Sequence, residues 1–185
     1  MNEPCGKGWR VLSSSYPINS PFLRLRSDVI ELPGGAVIRD YYVRESHGFA
    51  VILALTTDAR VVLVRQYKHG AGRTVLELPA GALDAGETPL ACAKRELAEE
   101  TGYVGDEPEL IASYLTDPTS SDGWFHLCIV RNAQCRVAQA FDQTEDIDVE
   151  FATPTELRSM VRDGRINTGS QVACVYAALD HLGLL

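Results

Sequence analysis

Basic residues are scarce in this chain. Its 17 Lys and Arg stand against 25 Asp and Glu, a formal net charge of -8, with a pI of about 5.0. Non-specific grip on nucleic acid or an anionic membrane needs a basic surface, so neither partner is expected. A small phosphorylated ligand stays open, because a bound metal ion can bring positive charge locally. Long apolar runs are also missing. No stretch approaches the roughly 20 apolar residues of a membrane span, and residues 1–10 lack the apolar core of a signal peptide. The five cysteines, Cys5, Cys92, Cys128, Cys135 and Cys174, are odd in number and have no CxxC spacing. Neither a disulfide framework nor a zinc site is suggested, and they read as reduced, mostly buried thiols of a cytoplasmic protein. The histidines His47, His69, His126 and His181 show no ligand spacing either. Internal repeats and low-complexity segments are absent.

What is there suits a globular chain. The 185 residues are 45% hydrophobic, enough for one domain with a real core. Residues 1–20 are mixed and turn-rich. Residues 22–32 and 36–44 read as strands joined by the turn Pro33-Gly34-Gly35. Residues 1–46 are therefore expected to form a β-hairpin arm, and residues 47–185 the main domain. In the latter, residues 49–55 and 61–67 form a second predicted hairpin. Further strands are expected at 75–78, 110–115, 124–130 and 147–151. Residues 89–101 are the clearest helix. Thr153, Pro154 and Glu156 announce another, which Gly164 stops. A last helix starts near Ser170, with Val172, Val175, Tyr176 and Leu179 at helical spacing. Strands and helices do not alternate strictly, so a mixed α/β sandwich is expected, not a doubly wound parallel sheet.

The informative helix is that of residues 89–101. Thr88 can cap it and Pro89 fits its first position. Leu90, Ala93 and Leu97 form one apolar stripe. Glu96, Glu99 and Glu100 share one face, roughly a quarter turn away at about 100° per residue. Gly102 suits the left-handed residue that ends a helix. Like charges at this spacing repel, and the helix C-terminus disfavours negative charge. The acids are either an exposed, solvated face or the oxygen ligands of a hard divalent cation such as Mg2+.

Residues 81–103 match a known pattern position by position: Gly81, Glu87, Arg95, Glu96, Leu97, Glu99, Glu100 and Gly102, with Tyr103 where an aliphatic residue is usual. The stretch resembles the Nudix box. The resemblance implies the α/β Nudix fold, a mixed β-sheet sandwiched between α-helices, with the box as a loop-helix-loop. It implies metal-ion catalysis with Mg2+, or Mn2+ in its place. The expected ligands are Glu96, Glu99, Glu100, the Ala80 carbonyl and Glu145. Glu99 and Glu145 are the candidate bases, and Arg95 pairs with Glu87 to orient the acids.

Arg65-Gln66-Tyr67-Lys68 and Glu77-Leu78-Pro79-Ala80-Gly81 are similar to the ADP-ribose and nucleoside diphosphate-sugar diphosphatase branch. That likeness implies hydrolysis of a small nucleoside diphosphate derivative to a nucleoside monophosphate and a sugar phosphate. Lys68, Arg65 and Ala82 become candidate substrate contacts. Arg65 and Lys68 also read as ordinary strand-edge charge. The branch usually has Ser-Pro-Gly and a later glutamate where this chain has Pro118-Thr119 and Gly123. Asp122 either replaces that glutamate or caps a turn. Glu145 is a loop base or an exposed acid. Early strands in this branch commonly exchange between two subunits, so a homodimer is expected. Trp9, Tyr41 and Tyr42 either stack on a base or pack the core or dimer interface. Two other functions stay open: a nucleotide-sugar sensor of the same fold without turnover, and hydrolysis of nucleoside triphosphates or capped RNA.

Overall fold

The computed structural model describes residues 8–140 and 146–185. Contacts divide the chain into two units, residues 1–46 with 115–124 and residues 47–114 with 125–185. In the first, strands β1 (Arg10–Asn19), β2 (Arg24–Glu31) and β3 (Val37–Glu45) form an antiparallel sheet in that order. The expected two-stranded hairpin is thus three-stranded. Ser13-Ser14-Ser15 and Pro17 read as turn chemistry, but an edge strand tolerates proline and polar residues. β1 is that edge, and all ten of its residues are exposed. Ser14 Oγ ties it to its neighbour by donating to Asp28 Oδ1 at 2.7 Å. Residues 115–124 complete the unit along β3. Arg44 N–H donates to Ser120 O at 2.8 Å, and Ser46 N–H to Asp122 Oδ1 at 2.9 Å.

The second unit is an eight-stranded mixed sheet between helices. Its strands are β4 (Phe49–Thr56), β5 (Val61–Lys68), β6 (Arg73–Glu77), β7 (Ala80–Ala82), β8 (Tyr103–Val104), β9 (Glu109–Leu115), β10 (Trp124–Cys135) and β11 (Ile147–Ala152). The main path runs β11-β5-β4-β10-β8, with β6 on β5, β7 on β4 and β9 on β10. β4 and β10 are parallel. The apolar residues of β4 face both ways, as the two-residue strand period requires. Val51 and Leu53 pack with Leu157 of helix α2 (Pro154–Arg162) and with Cys174, Val175, Ala178 and Leu179 of α3 (Gly169–His181). Ala50, Ile52 and Ala54 pack with Cys92, Ala93 and Leu97 of α1 (Pro89–Thr101). This is the expected α/β sandwich. Among the described residues no helix is long and apolar enough to cross a membrane.

Candidate active site

α1 has the ends its sequence dictates. Thr88 Oγ1 accepts from Ala91 N–H at 3.2 Å, satisfying one of the orphan donors of the first turn. Gly102 ends the helix at φ 74°, a left-handed conformation that costs glycine nothing. The buried stripe differs from expectation. Leu90 is 40% exposed and Cys92 takes its place against the sheet. Burial pushes the Cys92 thiol up to about 12, with Glu96 nearby adding to the effect. That thiol is not a nucleophile at neutral pH.

Arg95 organises the acid face. Its Nε and Nη2 donate to the two Glu87 oxygens at 3.0 and 2.8 Å, a bidentate pair. Nη2 also donates to Ala82 O at 3.0 Å. Nη1 donates to Glu96 Oε1 at 2.5 Å and Glu99 Oε2 at 3.0 Å. The Arg95 hydrogen bonds hold the Glu87 carboxyl down to about 2, against its ordinary 4.5. The same contacts, Glu87 first, push the Arg95 guanidinium up. A permanent cation thus offsets the repulsion that makes three clustered glutamates costly.

Glu100 does not lie on an exposed, solvated face. It is 3% exposed, and its Oε2 accepts from Ala80 N–H at 3.0 Å. α1 therefore holds the β6–β7 segment directly. Gly81 follows, and a Cβ there would overlap the Glu96 carboxylate. The absent side chain is what lets that carboxylate lie against the backbone beside Ala80. Among the described residues no three acidic, histidine or cysteine side chains form a preassembled metal cluster. Arg95 bridges Glu96 and Glu99, and Glu100 is drawn to Ala80. The donor chemistry nevertheless fits a hard divalent ion: carboxylates with a peptide carbonyl close by.

Arg65 pairs with Glu150 of β11, its Nη2 lying 3.2 Å from Glu150 Oε2. Lys68 Nζ lies 4.0 Å from Glu77 Oε2. Trp9 packs edge-on against Tyr41 with ring centroids 5.7 Å apart, yet stays 52% exposed. Tyr41 Oη donates to Thr119 O at 2.5 Å, and Tyr42 is exposed. Asp122 Oδ1 accepts from Ser46 N–H at the exit of β3. Glu145 lies outside the described residues. Sequence reasoning missed Gln171, a buried polar residue that bonds both peptide groups of Leu78. A glutamine among the apolar positions of α3 was its only signal.

The layered α/β/α unit thus sets an arginine-ordered acid helix beside Gly81 of β7. The chain belongs to the Nudix family, matching the NUDIX domain over residues 46–170, and it is a Nudix hydrolase. Residues 9–43 match the nucleoside diphosphate sugar hydrolase N-terminal domain. It is 33% identical to a methanol dehydrogenase activator of Bacillus methanolicus over 90% of each chain. It is 29% identical to an ADP-ribose pyrophosphatase of Bacillus subtilis over 85% of each, and 31% identical to a GDP-mannose pyrophosphatase of Citrobacter koseri over 88% of each. An ADP compounds hydrolase crystal structure shares the fold with a TM-score of 0.83 at 17% identity, covering 99% of this chain and 100% of that one.

Proposed function

We propose that the protein hydrolyses the diphosphate bridge of a nucleoside diphosphate-linked sugar, of the ADP-ribose or NDP-sugar kind, in the cytoplasm and as a homodimer. The observation that carries the substrate class is the match of residues 9–43 to a domain of nucleoside diphosphate sugar hydrolases, joined to a box with every acid in place. Glu96, Glu99, Glu100 and the Ala80 carbonyl would hold Mg2+, with Mn2+ as a substitute. A bound divalent ion supplies neutralisation of the diphosphate, a more acidic water and stabilisation of the leaving phosphate.

The protein's own groups do the rest. Water oxygen bonds to one phosphorus, the bridging P–O bond breaks, and the bridging oxygen leaves on the other phosphate. The products are a nucleoside monophosphate and a sugar phosphate. The water's proton goes to a carboxylate, for which Glu145 is the candidate, with Glu99 next. Arg95, fixed by Glu87, keeps Glu96 and Glu99 aligned. Lys68, Arg65 and Ala82 are the candidate substrate contacts, and Trp9 and Tyr41 are candidates for stacking on a base.

A panel of ADP-ribose, ADP-glucose, GDP-mannose and dGTP with Mg2+ tests this reading. Nucleotide sugars should be turned over better than dGTP, and excess chelator should abolish turnover. A tenfold preference for dGTP in kcat/KM removes the substrate class. Glu145→Gln should lower kcat with KM little changed, and full activity passes the base role to Glu99. A second reading, action on a partner dehydrogenase, is favoured by the name of the Bacillus methanolicus relative. A methanol dehydrogenase rate unchanged by adding the protein excludes it.

A further inference from the structure

Three consecutive residues ahead of Gly81 are held by three different elements. Leu78 lies between two ladders, since pairing of β5 with β6 ends at Val64↔Glu77 and pairing of β4 with β7 starts at Val51↔Ala80. Its peptide groups are fully buried and have neither strand to bond to there. The Gln171 carboxamide supplies both partners. Leu78 N–H donates to Gln171 Oε1 at 2.9 Å, and Gln171 Nε2 donates to Leu78 O at 3.1 Å. Pro79 O then accepts from Ile52 N–H at 2.9 Å, and Ala80 N–H donates to Glu100 at 3.0 Å.

The start of α3 grips the neighbouring residue too. Thr168, at the N-cap position, makes no side-chain bond to its own helix. Its hydroxyl donates instead to Glu77 Oε1 at 2.7 Å. A cap that forgoes its helix for a strand, and a glutamine 3% exposed that bonds one residue twice, both point at the same two-residue stretch. Gln171 also lies just past residue 170, where the NUDIX domain match ends.

We infer that Gln171 is a positioning residue for the cation site: by clamping Leu78 it fixes the peptide planes through Pro79 and so the direction of the Ala80 carbonyl. This rests on the proposed reading of Ala80 as a ligand. Groups that orient metal ligands typically cost 10- to 100-fold in metal affinity when removed, roughly the range expected here. Gln171→Met keeps the length of the side chain and removes both hydrogen bonds. Gln171→Leu, with a shorter apolar side chain, also removes both hydrogen bonds.

The test is Mn2+ binding to the full chain without substrate, read from the free-Mn2+ electron paramagnetic resonance signal well below the melting temperature. Gln171→Met should weaken Mn2+ binding by roughly 10- to 100-fold while circular dichroism stays that of a folded protein. Leu179→Ala, a core truncation in the same helix, should lower Tm and leave the Mn2+ affinity alone. Unchanged affinity in Gln171→Met, or equal weakening in Leu179→Ala, overturns the inference. Should Gln171→Met not fold, Gln171→Leu decides by the same criterion. Glu96→Gln separates the two failures: if it weakens Mn2+ binding and Gln171→Met does not, the clamp alone is overturned, whereas unchanged binding in Glu96→Gln overturns the cation-site reading and the clamp with it.

Discussion

Gly81 and Glu100 show how much of this site depends on single atoms. An added methyl group at Gly81 has no space while Glu96 keeps its place, so Gly81→Ala should sharply lower kcat/KM with little change in Tm. Near-native kcat/KM in that variant would show that Glu96 works from another position. Glu100→Gln keeps an oxygen for Ala80 N–H and removes the charge. It should stay folded by circular dichroism and lose about 10²–10³ in kcat, the range for one strong electrostatic contact in a transition state. Glu87 offers a pH test. Its folded value is depressed to about 2 from 4.5 by Arg95, so the unfolded chain takes up the proton first as pH falls. The stabilisation is complete above 4.5 and lost on descent through about 2. Urea midpoints of native protein and Glu87→Gln should accordingly differ at pH 6 and converge toward pH 2. A gap that does not narrow means the Arg95 pair contributes nothing.

At the scale of elements, helices were legible and edges were not. α1 could be read from Thr88, Pro89 and Gly102, because each end carries a residue with one favoured backbone role. α2 carries a complete capping box, with Glu156 N–H donating to Thr153 Oγ1 at 3.2 Å and Thr153 N–H to Glu156 Oε2 at 2.8 Å. Thr153→Ala should therefore lower stability by about 0.5–2 kcal/mol without touching kcat, as chemical denaturation and steady-state rates would show. β1 was missed because its serines and proline have turn preferences, and its pairing with β2 is a non-local fact. β7 and β8 are three and two residues long, too short to show any period. β10 runs past Val130 to Cys135 through Asn132 at φ 55°, where the pairing with β4 shifts register. The acid face of the box was readable because it lies within one helix. The partners of Arg65 and Leu78, Glu150 and Gln171, were not, since each stands more than 80 residues away in sequence.

For the whole molecule, β1 carries the argument about assembly. Val11, Leu12 and Ile18 are each more than 40% exposed on an edge strand, with Trp9 beside them. Bare apolar edges invite pairing with another chain, and a second copy is the proposed occupant. Sedimentation at micromolar concentration should give a dimer, and Val11→Lys with Ile18→Lys should give a monomer. A native protein that sediments only as a monomer removes the proposal. The division of the chain also bears on its synthesis. The first unit begins at the N-terminus yet includes residues 115–124. A ribosome adding about 5–20 residues per second needs on the order of 3–14 s to cover that gap. Throughout that interval the Arg44 amide waits for Ser120, the residue it later bonds. The nascent chain carries an open strand end just when neighbouring ribosomes present identical ones, so crowded translation favours wrong pairings that a slower, sparser supply of chains avoids.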